Sequence, residues 1–146
     1  MKLYLAQHAK SKSEQEDALR SLSQEGLSDA NKMAVFLKNI KVSKIYHSSK
    51  LRAQQTAEIF SKSLKAKMEK ANHLEPLADP HIWEDRISKE IDDIMIVGHL
   101  PHLGRLVSLL LDNTPENLVT FQQGGIVCLE RDDSWTIRWL VTPSLL

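Results

Sequence analysis

Three apolar runs in this chain end on groups that can do chemistry. "LYLAQHAKS" brings Gln7 and His8 to the end of one run, "YHSSKLRAQQ" brings Ser48, Ser49 and Arg52 to the end of a second, and "VGHLPH" brings Gly98 and His99 to the end of a third. An unprotonated imidazole nitrogen can attack phosphorus and carry the phosphoryl group covalently. Phosphoryl transfer then asks for positioning and for stabilisation of charge on the equatorial oxygens. The planar donor fork of Arg52 suits that task, and a protonated His99 would serve it too. Positive charge nearby would keep His8 unprotonated and able to attack. Gly98 would let the backbone approach closely. Taken singly, each residue has a structural explanation: a strand-end histidine, a solvated helix arginine, a helix-capping histidine. Their joint arrangement is what points to chemistry.

That arrangement depends on the elements around it. "KLYLA" reads as a buried opening strand. "SLSQEGLSDANKMAVFLKNI" has a helical period, with Leu27, Ala30, Ala34 and Leu37 on one face. "SKIYHS" is a short strand, and Ser48 or Ser49 is expected to cap the helix "KLRAQQTAEIFSKSL". "EPLADPHIWEDRISKEI" begins as a loop, with Pro80 opening a short helix that carries Ile82, Trp83 and Ile87. Ile94–Val97 form the clearest strand, followed from Pro101 by a helix with Leu103, Leu106, Val107, Leu110 and Leu111 on its buried side. "DNTPENL" reads as a turn, and "GIVCLERDDSWTIRWLV" as a hairpin. Strands alternating with helices predict an α/β fold: a mostly parallel sheet covered on both faces, with an antiparallel strand or two at an edge. Ligands of such sheets bind outside the carboxyl ends of the strands. There, two helix N-termini would add partial positive charge suited to a phosphate.

Composition narrows the field. The 146 residues suit a single domain spanning 1–146, with 42% hydrophobic and 26% charged residues. Lysine plus arginine equals aspartate plus glutamate at 19 each, so no bulk charge draws the chain to nucleic acid or an anionic membrane. Any anion must be recruited by a local cluster. One cysteine, Cys128, excludes an intrachain disulfide, suits a reducing cytoplasm and is expected to serve packing. No apolar run approaches a membrane span, and the opening apolar run is too short for a signal peptide. His47, His73, His81 and His102 show no pattern beyond packing or surface roles. No HExxH or other ligand spacing implies a metal. No G-x-S-x-G implies a serine hydrolase, and no phosphate-binding glycine motif is present. Trp135 and Trp139 on the last hairpin could feed an interface; the oligomeric state stays open.

"LYLAQHA", "LRSLSQEG", "HSSKLRAQQTAE" and "IVGHLPHLGRLV", in this order, resemble the histidine phosphatase superfamily, most closely its SixA-type phosphohistidine phosphatases. The resemblance runs from Met1 to about Gly125. It implies a phosphoglycerate mutase-like three-layer α/β/α sandwich, no metal or other cofactor, and a nucleophilic histidine. By motif position His8 is that nucleophile, His99 the second catalytic histidine and Arg52 a phosphate-binding arginine; Arg20 falls where it could bind phosphate or the substrate's flank. The family has arginine where this chain has Gln7, which can hold a phosphate oxygen through its amide without supplying charge. Either an attenuated enzyme or a module that binds phosphorylated ligands would follow. An ester-cleaving member needs a proton donor, and Glu75, Asp79, Glu84 and Asp85 are not distinguished by any motif. A phosphohistidine needs none, because its imidazole departs neutral once the distal nitrogen is protonated. The expected partner is thus a phosphorylated protein bearing phosphohistidine, with a small phosphorylated substrate as the alternative.

Overall fold

A computed structural model describes residues 1–114 and 118–146. The "DNTPENL" turn falls partly on 115–117, outside the described residues. The chain forms β1 (Lys2–Gln7), α1 (Gln24–Leu37), β2 (Lys44–His47), α2 (Leu51–Leu64), β3 (Lys67–Lys70), α3 (Pro80–Ser88), β4 (Ile94–Gly98), α4 (His102–Asp112), β5 (Ile126–Arg131) and β6 (Trp135–Val141), closing with a short 3-10 turn. The six strands make one sheet in the order β3-β2-β4-β1-β5-β6. Strands β3, β2, β4 and β1 run parallel, while β5 and β6 are antiparallel at one edge.

Side-chain alternation along the strands builds two cores. Leu3, Leu5, Ile94, Ile96, Val127 and Leu129 face Trp83 and Ile87 of α3 and Leu103, Leu106 and Val107 of α4. Tyr4, Ala6, Ile45, Met95, Val97 and Cys128 face Met33 and Leu37 of α1 and Ala53, Ala57 and Phe60 of α2. The central strands are buried on both faces, which is why they read as continuous apolar runs rather than alternating ones. This is the sandwich expected from the sequence.

Several local expectations need correction. Helix α1 is shorter than its periodic stretch, because Ser23 caps it by accepting from Gly26 N at 3.1 Å. Neither Ser48 nor Ser49 provides the side-chain cap of α2, whose N-cap is Lys50; their hydroxyls are used elsewhere. The short polar strand β3 has no apolar signature, and its pairing with β2 defines it. Trp139 packs against Tyr4 and Phe36, and Arg131 lies over Trp135; both tryptophans are half-buried.

Two glycines serve the end of β1. Gly124, at φ 79°, turns its N–H onto the carbonyls of Gln7 and His8 at 3.2 and 3.0 Å. Gly26 lies under the chain that leaves His8: a Cβ there would sit 2.0 Å from the carbonyl oxygen of Lys10. That oxygen also accepts from Ser23 N at 3.0 Å, so it cannot easily yield. Gly26→Ala is therefore expected to lower the urea midpoint by an amount equivalent to about 1–3 kcal/mol, as overpacking does. An unchanged midpoint would show that this contact does not constrain the segment.

Candidate active site

The parallel register of β1 and β4 pairs Gln7 with Gly98. One residue further, His8 N donates to Gly98 O at 3.0 Å. The next side chain on each strand end is an imidazole, and the His8 and His99 rings lie 5.0 Å apart between centroids. Gly98 contributes this carbonyl; a Cβ on it would meet Leu103 at 3.5 Å, ordinary contact, so protein neighbours do not demand its small size.

His8 is buried and its tautomer is fixed. Its Nδ1 bonds to Ala9 O at 2.7 Å, a carbonyl that can only accept, so Nδ1 carries the proton and Nε2 keeps its lone pair. Ala9 N in turn donates to Thr56 Oγ1 at 3.0 Å, and the Thr56 hydroxyl donates to Arg52 O at 2.8 Å. Thr56 thereby ties the strand end bearing His8 to the first turn of α2, which bears Arg52.

His99 is held by Ser48, whose Oγ lies 2.5 Å from His99 Nε2. Lys50 N donates to the same oxygen at 3.3 Å. A hydroxyl oxygen carries two lone pairs, so this N–H leaves Ser48 able either to donate to Nε2 or to accept from it. His99 Nδ1 is buried with no protein partner, and it carries the proton of the neutral ring when Ser48 donates to Nε2. Gln7 Oε1 and Arg52 Nε are likewise buried and unpartnered.

Arg20 reaches the same region from the loop before α1. Its Nε donates to Lys12 O at 3.2 Å and its Nη2 to Ser11 Oγ at 3.1 Å. Its backbone adopts the left-handed region at φ 52°, a conformation disfavoured for arginine and held here by Arg20 N donating to Asp17 O. The charges of Arg52 and Arg20 both bear on His8. The structure therefore gathers Gln7, His8, Arg52, Gly98, His99 and Arg20 around the carboxyl ends of β1 and β4.

A model of the histidine phosphatase superfamily (branch 1) matches residues 3–92. The chain belongs to that superfamily. Comparison with curated protein sequences gives no match. Among solved structures, the protein histidine phosphatase SixA complexed with tungstate superposes with a TM-score of 0.88 at 23% identity, covering 99% of each chain. The alpha-ribazole phosphatase of Shigella flexneri gives 0.81 at 17% identity over 98% of this chain and 97% of that one. The phosphoserine phosphatase of Entamoeba histolytica in complex with 3-phosphoglyceric acid gives 0.77 at 15% identity over 99% of each chain. At such identities these likenesses establish the fold.

Within this histidine phosphatase fold, the four acids left equivalent by the sequence now separate. Asp79 caps α3, accepting from His81 N and lying 2.9 Å from His81 Nδ1. Glu84 and Asp85 line a groove with Arg131 and Trp135. Arg131 N donates to Met1 O, so that groove lies at the opposite end of β1 from His8. Glu75 accepts from Ser49 Oγ at 3.4 Å, on the segment that also carries Ser48 and Arg52. Sequence reasoning also missed Thr56 and the role of Ser48, although both lie in the quoted "HSSKLRAQQTA". Among the described residues, no group of three or more His, Cys, Asp or Glu is placed to hold a metal, and no helix is long and apolar enough to cross a membrane.

Burial governs the ionisation of the histidines. Desolvation, reinforced by Arg52 and Arg20, lowers the pKa of His8 from 6.5 to about 4 against the opposing Ala9 hydrogen bond. Desolvation and then the charges of His8, Arg52, Lys50 and His102 lower His99 to about 3. His102 is fully buried with neither ring nitrogen partnered, and desolvation takes it to about 4 although Glu75 and Asp79 pull upward. Near neutral pH both site imidazoles are therefore uncharged, contrary to the protonated His99 considered from the sequence.

The unfolded chain binds more protons than the folded one between pH 6.5 and these lowered values. The stability contributed by neutral burial is thus complete above pH 6.5 and is lost as pH falls toward 4. We expect the melting temperature to fall between pH 7 and 4.5, and to fall less in His102→Leu. We also expect imidazole NMR shifts of His8 to stay those of the neutral ring at pH 5.5. A His8 midpoint near 6.5 would show that burial does not control it.

Proposed function

We propose that the protein hydrolyses a phosphoryl group through a covalent intermediate on His8, most readily from phosphohistidine on a protein. The observation that carries this is the fixed tautomer: Nδ1 is occupied by Ala9 O, which leaves an unprotonated Nε2 beside His99 and within the field of two arginines. In the first step the Nε2 lone pair forms a bond to phosphorus. The phosphorus bond of the substrate breaks, and its electrons leave with the imidazole of the substrate. That imidazole departs neutral if its distal nitrogen is protonated. In the second step water attacks phosphorus, the bond to His8 breaks, and phosphate and the free imidazole are regenerated, with the water's proton passing to solvent or phosphate.

Arg52 and the N-terminus of α2 receive the negative equatorial oxygens, and the Nδ1–H that neutral His99 carries when Ser48 donates to Nε2 is a further donor. Gln7 takes one oxygen through its amide. This asks for the amide to turn its nitrogen inward, because the buried and unpartnered atom is the acceptor Oε1. Gln7 carries no charge, so transition-state binding on the β1 side is weaker than a guanidinium would give. The protein acts without metal in this scheme, as a single domain, and a cytoplasmic setting suits the lone unpaired cysteine.

His8→Asn is expected to abolish turnover and the acid-labile phosphate trapped on the protein, and Arg52→Ala to slow turnover about 10²-fold or more, as loss of one preorganised donor does. Gln7→Arg should accelerate turnover if catalysis is attenuated at this position. Full activity in His8→Asn would overturn the proposal; no turnover by the parent and phosphate binding alone would favour the ligand-binding module.

A second reading is favoured by Glu75, the acid tied to Ser49 at the rim. A phosphoester leaves as an alkoxide and needs such a donor, whereas a phosphohistidine does not. Glu75→Gln is expected to leave phosphohistidine hydrolysis within about threefold while slowing p-nitrophenyl phosphate no more than that, since nitrophenolate also leaves unaided, and to slow an alkyl phosphate about 10²-fold. Equal loss on all three would make Glu75 structural. Faster parent turnover of the alkyl phosphate than of phosphohistidine would make the ester reading the correct one.

A further inference from the structure

A cleft of about 390 Å³ runs outward from the site between the loop before α1 and the first turn of α2. Glu14, Leu19 and Arg20 are on one wall, and Lys50, Leu51 and Arg52 are on the other. Its volume falls in the range of sites for whole ligands and is far larger than one phosphoryl group requires. Three of these residues are cationic and one is acidic, in a chain whose charges balance overall at 19 to 19. Lys50 is exposed, and among the described residues it forms no ion pair. Arg20 is fixed by Ser11 and Lys12 O, so it is preorganised rather than free to swing away.

The two arginines repel each other across the cleft: burial first, then the charge of Arg20, lowers the pKa of Arg52. Arg52 sits on the first turn of α2, braced through its carbonyl to the strand end bearing His8, and belongs to the phosphoryl group. Lys50 and Arg20 lie on the opposing walls and complement a further anion. Leu19, 71% exposed, and Leu51 offer apolar surface beside them for the stem of a side chain. The exposed lining of Glu14, Leu19 and Lys50 leaves the cleft open for a segment that continues across the surface.

We propose that this cleft reads an acidic side chain adjacent to the phosphohistidine of a protein substrate, with Lys50 and Arg20 as the cations that recognise it. The inference rests on the reading of His8 as the residue that receives the phosphoryl group. Glu14, the one acid of the lining, repels an acidic residue and attracts a basic one, so it reduces the preference set by the two cations without reversing it.

The test uses phosphohistidine peptides that differ only in whether the neighbouring residues are Asp and Glu or Asn and Gln. Phosphate release is expected to favour the acidic peptide about tenfold in kcat/KM, mainly through KM, with the advantage shrinking as salt is raised. Lys50→Gln should reduce that ratio to below about threefold and Lys50→Arg should keep it. Equal rates for the two peptides, or an unchanged ratio in Lys50→Gln, would overturn the proposal. Binding of the same peptides carrying a non-hydrolysable phosphohistidine analogue gives a readout without turnover. Acid preference in binding with no turnover would remove the role of His8 and leave the acid-reading cleft standing. Turnover with no preference in either assay would do the reverse.

Discussion

The hydrogen bond from His8 N to Gly98 O extends the parallel register of β1 and β4 by one residue beyond the strand. Parallel neighbours finish at the same edge of a sheet, so groups 91 positions apart in the chain, such as His8 and His99, become neighbours by register alone. Backbone pairing is rigid because buried N–H and C=O groups are costly to leave unpaired. Gly124 completes the accounting by donating to the carbonyls of Gln7 and His8, the last two the strand would otherwise leave open. The imidazoles are thus aimed by main-chain bonds first, and by side-chain bonds to Ala9 O and Ser48 second.

Around this pair the charge is one-sided. Cations come from α2 and from the loop before α1, whereas the β1 side offers only the neutral amide of Gln7. Desolvation is the largest influence on both imidazoles, and the cations act in the same direction. Burial alone would leave two neutral rings with no preference for anions. Arg52 and Arg20 supply that preference and also oppose protonation of His8. A dianion entering the site would reverse part of this balance by stabilising protonated imidazole, which makes His99 a donor that strengthens once the phosphoryl group is bound.

The fold was legible in the sequence where burial is two-sided and periodicity strong: β1, β4, α2 and α4 each follow from their own residues. Strand β3 was not, because "KMEK" pairs through its backbone and hides almost nothing. The site was legible as residue types at strand ends, and His8, Arg52 and His99 were all readable that way. Thr56 and Ser48 were harder to read because their hydroxyls act on partners 47 and 51 positions away, and a local pattern carries no such pairing. Ser48 as a cap was the reasonable local reading; it lost to a buried imidazole with a stronger claim on the same hydroxyl. His102 was treated as packing, and nothing in "LPHLGRLV" signals that both its nitrogens are buried without partners.

Unused hydrogen-bonding capacity is concentrated in one place. Among the described residues, the buried side-chain atoms without partners belong to Gln7, Arg52, His99 and His102. Three of these surround the candidate site, and His102 follows one turn along from His99. Each such atom costs stability when nothing answers it, and native interiors ordinarily leave few. Arg20 adds a left-handed backbone in the same region. A sheet end that only had to close the fold would be more stable with apolar groups here. Its persistence as a set of donors, one acceptor and a strained arginine is what binding a small, highly charged group requires. Arg52 and His99 are already held in place and only the Gln7 amide has to turn, so little ordering cost remains to be met when the anion arrives.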